Sequence, residues 1–268
     1  MNRLAQLIAG AIAGTAAVLL LIAPADAKKY DGNPTWNPNG SYTTDFSYYF
    51  PGTKLNTAKD FNEGWVSGSG DTGPVNSNET AGYNSNLISL TGTGYLKLPL
   101  KYGQQITTSK GTYPNTGTLI DTYGKQYFTP GTHGLSVESR IYLPGSGSTV
   151  YNWPAFWMDG EGLNWPTDGE ADIMEGLGGQ TCYHFHDPSG GPGGCSNVGS
   201  GWHTFGASWH NSSITYYYDN KAVGTISSGI TNKPMFLIFN YTTSTNSGNS
   251  ATLKVDWVKV WQNNTGGE

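Results

Sequence analysis

The sequence predicts an all-β protein, an antiparallel sandwich or barrel, on three observations. After the first two dozen residues, no stretch sustains the 3.6-residue apolar period of a helix. Short runs of alternating apolar and polar residues recur instead, bounded by Gly, Pro, Asn and Asp. Glycine is abundant, at 38 of 268 residues, while only 12% of residues are charged, a composition suited to many turns between short strands.

Taken in chain order, the start reads as a leader. Arg3 precedes an apolar run over 4–22, and small residues follow to Ala25-Asp26-Ala27. This is the layout of a secretory signal peptide cut between Ala27 and Lys28; the rival is a retained anchor, which the Ala-Asp-Ala end disfavours. Export then leaves residues 28–268 as a single domain in an extracellular setting. Residues 28–45, rich in Asn, Pro, Gly and Tyr, form either a loose arm or an edge strand.

The clearest strand is Leu135–Leu143, stopped by Pro144-Gly145. Its Leu135, Val137, Ile141 and Leu143 face one way, and its Ser136, Glu138, Arg140 and Tyr142 the other. Further strands are expected at 214–218, 235–241 and 253–262, with Asp219-Asn220-Lys221 as a hairpin turn. There is no internal repeat and no second domain. The two cysteines, Cys182 and Cys195, are expected to pair as a disulfide, because an exported chain favours that over a metal pair. The bridge would clip a Gly/Pro-rich loop over 187–192.

A net charge of −5 offers no basic patch for nucleic acid or an anionic membrane. No run after the leader is apolar enough to span a bilayer, and a monomer is expected. Nine Trp and seventeen Tyr exceed what a sandwich core of this size needs. Aromatic rings stack on the C–H faces of sugars, whose hydroxyls want Asn, Asp, Glu and His, so the composition suits a neutral polysaccharide. For any single Trp, core packing is an equal alternative.

The chemistry concentrates in Asp168-Gly169-Glu170-Ala171-Asp172-Ile173-Met174-Glu175-Gly176. Glu170 and Asp172, two apart, share a face of a strand, whereas Glu175, five from Glu170, falls on the opposite face. One extra residue, a β-bulge near Ile173-Met174, would return Glu175 to the side of the other two. Three like charges in a strip cost stability. A solvated acidic face, a calcium site and catalysis all remain open on this strip alone. Catalysis would fit retaining glycosidases, which need two carboxyl groups about 5–5.5 Å apart, one ionised to attack and one to donate a proton.

The surrounding residues extend the pattern. Thr116-Gly117-Thr118-Leu119-Ile120, the strand from Gly134 to Pro144, and Trp153-Pro154-Ala155-Phe156-Trp157-Met158 precede the acidic segment. Trp202-His203-Thr204-Phe205, Trp209, Ile214-Thr215-Tyr216-Tyr217-Tyr218-Asp219 and Val255-Asp256-Trp257-Val258-Lys259-Val260-Trp261 follow it. In this order, across most of the mature chain, these pieces resemble glycoside hydrolase family 16, in its laminarinase-like endo-β-1,3-glucanase branch with the bulged Glu-x-Asp-x-x-Glu strand. The resemblance implies a jelly-roll β-sandwich of two curved antiparallel sheets with a concave substrate cleft. It implies double displacement with retention: Glu170 as nucleophile, Asp172 as its electrostatic helper, Glu175 as general acid/base. Glu170 is then expected to stay ionised near neutral pH.

Other residues are drawn in by the same resemblance or by strand period. His184, in Thr181-Cys182-Tyr183-His184-Phe185-His186, matches a family histidine near the carboxylates and either contacts substrate or is structural; His186 shares its face. Trp153 resembles a cleft Trp on the glycone side, Trp165 is placed to stack a neighbouring sugar, and Trp157 is read as core. Glu138, Arg140 and Asn240 fall on polar strand faces expected to pave the concave sheet, as sugar contacts or as structural pairs. Zinc held by His184, His186 and Asp187 is considered and set aside, since nothing else supports it. Asp256 matches the family position that, with backbone carbonyls, holds a structural calcium; pairing with a neighbour is the alternative. Catalysis needs no cofactor.

The reading is thus a secreted, endo-acting hydrolase of a β-linked neutral polysaccharide, β-1,3-glucan first. Another β-linked glucan or galactan stands second, and a non-catalytic lectin on the same sandwich is the competing class. The absence of a basic cluster over 153–170 disfavours sulfated polymers.

Overall fold

The computed structural model describes residues 29–66, 71–210 and 212–265, so the expected leader and its cut site lie outside the described residues. Two large sheets pack face to face. The outer sheet runs, edge to edge, Lys221–Ile226, Ser213–Tyr218, Gly201–His210, Leu135–Leu143, Ala251–Asn263, Leu96–Leu100 and Ser89–Leu90. Tyr42–Tyr48 also pairs with Ala251–Asn263, so residues 29–45 supply both an irregular arm and the start of an edge strand. The inner sheet runs Gly193–Cys195, Gln180–His186, Glu170–Leu177, Trp153–Gly160, Met235–Thr242, Asn115–Asp121 and Asn62–Glu63. The pairing is antiparallel throughout both paths, and among the described residues only Ala81–Tyr83 lies parallel to its neighbour, Asn115–Asp121. Among the described residues no helix is long and apolar enough to cross a membrane.

The core fills the space between the sheets through strand alternation. Val137, Ile141 and Leu143 from the outer sheet meet Phe156, Met158, Ile173 and Phe239 from the inner one, all fully buried. Asp219 and Asn220 adopt the left-handed backbone (φ 46° and 67°) of a two-residue hairpin turn between Tyr218 and Lys221, as expected.

A second, smaller apolar cluster lies on the other face of the inner sheet. It holds Tyr83, Leu119, Ala155, Trp157, Phe236 and Ile238, with Trp65 packed against it. Trp157 is therefore buried as expected, but on the cleft side rather than between the sheets. The inner strands are thus covered on both faces, which explains why Trp153–Gly160 reads as an almost unbroken apolar run.

Alternation sets which residues share a face, not which sheet they occupy, and here two expectations fail. Glu138 and Arg140 lie on the outer sheet, away from the cleft. The N-terminal arm covers Glu138, whose carboxylate accepts hydrogen bonds from the Thr35 backbone N–H (2.9 Å) and hydroxyl. Trp36 of the same arm stacks on Tyr217, ring centroids 4.5 Å apart. Arg140 lies over the Trp202 ring and donates to Asp256 at 2.6 Å.

Asp256 itself is the extra residue of a bulge in the closing strand, where Val255 and Trp257 pair with consecutive Ile141 and Arg140. The bulge turns its side chain toward Arg140. One carboxylate oxygen is taken by the guanidinium, while the other is buried without a hydrogen-bond partner. Asp256 is thus paired with a neighbour, the alternative to a calcium ligand, and Arg140 balances its charge.

Candidate active site

The acidic strand, Glu170–Leu177, is positioned at its start by side chains packed closely against a glycine. Gly169 enters it at φ 86°, in the left-handed region, and a Cβ there would lie 2.7 Å from Thr231 Oγ1 and 2.9 Å from the Phe185 ring. Within the strand the expected bulge is present. Toward one neighbour, Phe156 pairs with Met174 and Trp157 with Asp172, leaving Ile173 as the extra residue. Toward the other, Asp172 faces His184 and Glu175 faces Cys182. Ile173 and Met174 are both buried in the core while Glu170 and Glu175 line one cleft. Local pairing is sacrificed so that three acidic side chains can leave the same side of the sheet.

The neighbouring strand, Gln180–His186, carries Cys182, His184 and His186 at period 2. Cys182 is bonded to Cys195, directly opposite it on the edge strand, so the expected disulfide staples that edge to the strand beside Glu175. Two buried tyrosines reach across the core from the outer sheet to fix the same strand: Tyr216 donates to the His184 carbonyl and Tyr218 to the Cys182 carbonyl, each at 2.8 Å. Burial pushes both phenols well above their usual range, so each remains a donor.

The side chains so placed form one network. Glu175 accepts from the Trp153 indole at 2.8 Å and lies 3.1 Å from His184 Nδ1. His186 Nε2 lies 3.2 Å from Asp172 and 3.8 Å from Glu170. Burial first, then repulsion from Asp172 and Asp159, raises Glu170 well above the usual carboxylate range, with His186 pulling it down. Burial, then Glu175, raises Asp172 likewise, opposed by His184. The expected ionisation of Glu170 is thus opposed by burial and by its acidic neighbours, and favoured by His186.

The cleft has a volume of about 870 Å³ and is lined by Trp65, residues 75–78, Trp153, Asp159, Leu163, Trp165, Glu170, Glu175, His184 and His186. Trp165 stands at its rim, 60% exposed, with its ring 6.1 Å from that of His186. Asn240 lies at the floor, in a recess shared with the three acidic residues, but its amide is engaged. It accepts from the Trp157 indole at 2.8 Å and donates to the Tyr83 hydroxyl, which in turn donates to buried Glu79. Asn240 thus holds the floor together. Asp187 turns away, toward the Ser189 N–H, and joins neither histidine.

Three contributors went unread in the sequence. Trp65 stacks on Trp157 at 5.7 Å from a loop far away in the chain, and residues 75–78 arrive the same way. Asp159 did carry a signal, since it lies two residues beyond Trp157 and six beyond Trp153 on one strand face. It pairs across the sheet with Glu170, and burial raises it to about 7.

Comparison with known proteins places this geometry. A family model described as "XgeA-like, catalytic GH16 domain" matches residues 106–213, which include the acidic and histidine strands. A probable endo-1,3(4)-β-glucanase of Aspergillus niger is 27% identical over 164 residues, 61% of this chain and 18% of that protein. A probable glycosidase of Schizosaccharomyces pombe is 41% identical over 69 residues, 26% of this chain and 15% of that protein. The chain therefore spans less than a fifth of the length of these two curated relatives. The solved endo-β-1,3-glucanase of Pyrococcus furiosus superposes with a TM-score of 0.66 at 25% identity, covering 82% of this chain and 94% of that one. The laminarinase catalytic domain of Thermotoga petrophila superposes at 0.69 and 22% identity, covering 84% and 100%, a likeness of fold.

Proposed function

We propose that this chain, a member of glycoside hydrolase family 16, cuts internal linkages of a β-1,3-linked glucan by double displacement with retention of anomeric configuration. The observation that carries the reading is the bulge at Ile173, which brings Glu175 into the cleft that Glu170 lines. Glu170 attacks the anomeric carbon while Glu175, held by Trp153 and His184, gives its proton to the departing glycosidic oxygen. Glu175 then takes a proton from water, whose oxygen displaces Glu170 from the sugar. Asp172, the more enclosed of the coupled pair, keeps their shared proton and so frees Glu170 to act as an anion.

The substrate class rests on two supports. The cleft walls offer Trp65, Trp153 and Trp165 as stacking faces and present no lysine or arginine. Of the relatives named above, those of Aspergillus niger, Pyrococcus furiosus and Thermotoga petrophila are described as endo-β-1,3- or endo-1,3(4)-β-glucanases. The reading includes secretion as a monomer after removal of residues 1–27, so that the exported protein would begin at Lys28.

Incubation with laminarin, barley mixed-linkage glucan and agarose, followed by sizing of the products, tests the proposal. Laminarin should fall rapidly to mid-sized oligosaccharides, and Glu170→Gln should lower that rate by at least about 10³-fold without unfolding the protein. Polymers left intact by the wild-type protein would instead support a lectin.

A further inference from the structure

The cleft holds a second constellation, which shares Asp172 and His184 with the proposed hydrolytic mechanism but has a geometry of its own. His184 and His186 project from the same face of one strand, two residues apart, and Asp172 lies directly across from His184 on the next. One nitrogen from each imidazole and one Asp172 oxygen all fall within 4.8 Å of one another. The His186 Nε2 to Asp172 Oδ2 separation is 3.2 Å, close to the edge of about 3.3 Å that a tetrahedral zinc ion with ~2.0 Å bonds imposes on its ligands. Asp172 and His184 are paired positions of adjacent strands, with His186 two residues on, so the backbone itself brings the three side chains together.

We propose that Asp172, His184 and His186 form an inhibitory binding site for a borderline divalent cation of the zinc class. Two imidazoles and one carboxylate select zinc, copper or cobalt over calcium and magnesium, which prefer all-oxygen sets. Glu170, Glu175 and Asp159 line the same cleft and add a negative field that draws a cation in. The remaining coordination positions face the open cleft, where water completes the shell. Binding keeps His186 beside Asp172, now as a fellow ligand, and takes the two histidines from the other carboxylates: His186 from Glu170, and His184 from Glu175. The ion also occupies the space between the two proposed catalytic groups. Hydrolysis should therefore stop reversibly while zinc is bound. Asp187, the acidic neighbour in sequence, plays no part, because it faces the Ser189 turn.

Isothermal titration calorimetry of the purified protein with zinc chloride tests the site without any substrate. One zinc per chain is expected, with no heat from calcium chloride under the same conditions. His184→Ala and His186→Ala should each weaken zinc by more than ~10-fold, since even outer-shell changes commonly cost that much. Cobalt added to the wild-type protein should give visible d–d bands that zinc abolishes, a readout that does not depend on any variant folding. No zinc heat, equal heat from calcium, unchanged affinity in both histidine variants, or a cobalt spectrum no different from the free ion would each overturn the site. The inhibitory consequence alone rests on the glucanase reading. Zinc that binds while laminarin hydrolysis continues unabated would refute that consequence and leave the proposed function standing.

Discussion

Glu170 and its neighbours illustrate how much chemistry a few ångströms of burial creates. Alone on a surface, three carboxylates within six residues would all be ionised; here burial and mutual repulsion raise Glu170 and Asp172 together. His186 is the group that pulls Glu170 back down. Removing its positive character in His186→Gln should therefore raise Glu170 further. A nucleophile must be ionised, so the acid limb of the kcat/KM profile on laminarin should move to higher pH. A limb that stays in place or moves to lower pH would show that His186 does not influence the nucleophile. At this scale the sequence was most legible. The Glu-x-Asp-x-x-Glu spacing conflicts with strand period 2, and a conflict of that kind has one simple resolution, the bulge that is found at Ile173. Asp159 escaped notice because it sits at the end of an apolar run in which its near neighbour Trp157 reads as core.

At the scale of the element, the histidine strand is the part whose position matters most. The disulfide fastens its outer neighbour, and the Tyr216 and Tyr218 hydroxyls hold its backbone from the opposite sheet. Neither tyrosine contact is visible in a linear sequence, since alternation predicts an inward-facing aromatic but not the carbonyl at its tip. Tyr216→Phe keeps the ring and strands the His184 carbonyl without its donor. That substitution should cost about 1–2 kcal/mol of stability in chemical denaturation. The same limit explains Glu138 and Arg140. Their strand and their face were read correctly, but a strand's face does not reveal which sheet it joins or what lies over it. Trp65 and residues 75–78 were illegible for a related reason: loops far off in the chain deliver them to the cleft.

Across the whole molecule, the arm over 29–40 closes the outer sheet in much the way that the cleft-side cluster closes the inner one. Its underside buries Glu138, 1% exposed, and raises that carboxyl to about 7. A carboxyl raised in the folded state stabilises the fold below its unfolded value near 4.5, and that contribution is lost as pH climbs toward 7. The loss amounts to about 3 kcal/mol. Glu138→Gln should accordingly raise Tm relative to wild type at pH 8, with the gap closing by pH 4.5. An equal gap at both pH values would mean that the buried carboxyl is already neutral or paired. The antiparallel all-β character was legible throughout, because turn residues and alternation recur along nearly the whole chain; the choice of two sheets over a barrel came from the family resemblance, and the depth of the cleft emerged only when the sheets were assembled.

The account turns on Glu170 forming a bond to sugar while Glu175 works from the same side of the sheet. Trapping with an activated 2-deoxy-2-fluoro β-1,3-linked glucosyl donor, followed by peptide mass spectrometry, reads that directly. The adduct is expected on Glu170, with proton NMR showing the β anomer as the first product from laminarin. An adduct on Glu175 or on any other residue, or an α anomer released first, would contradict the account.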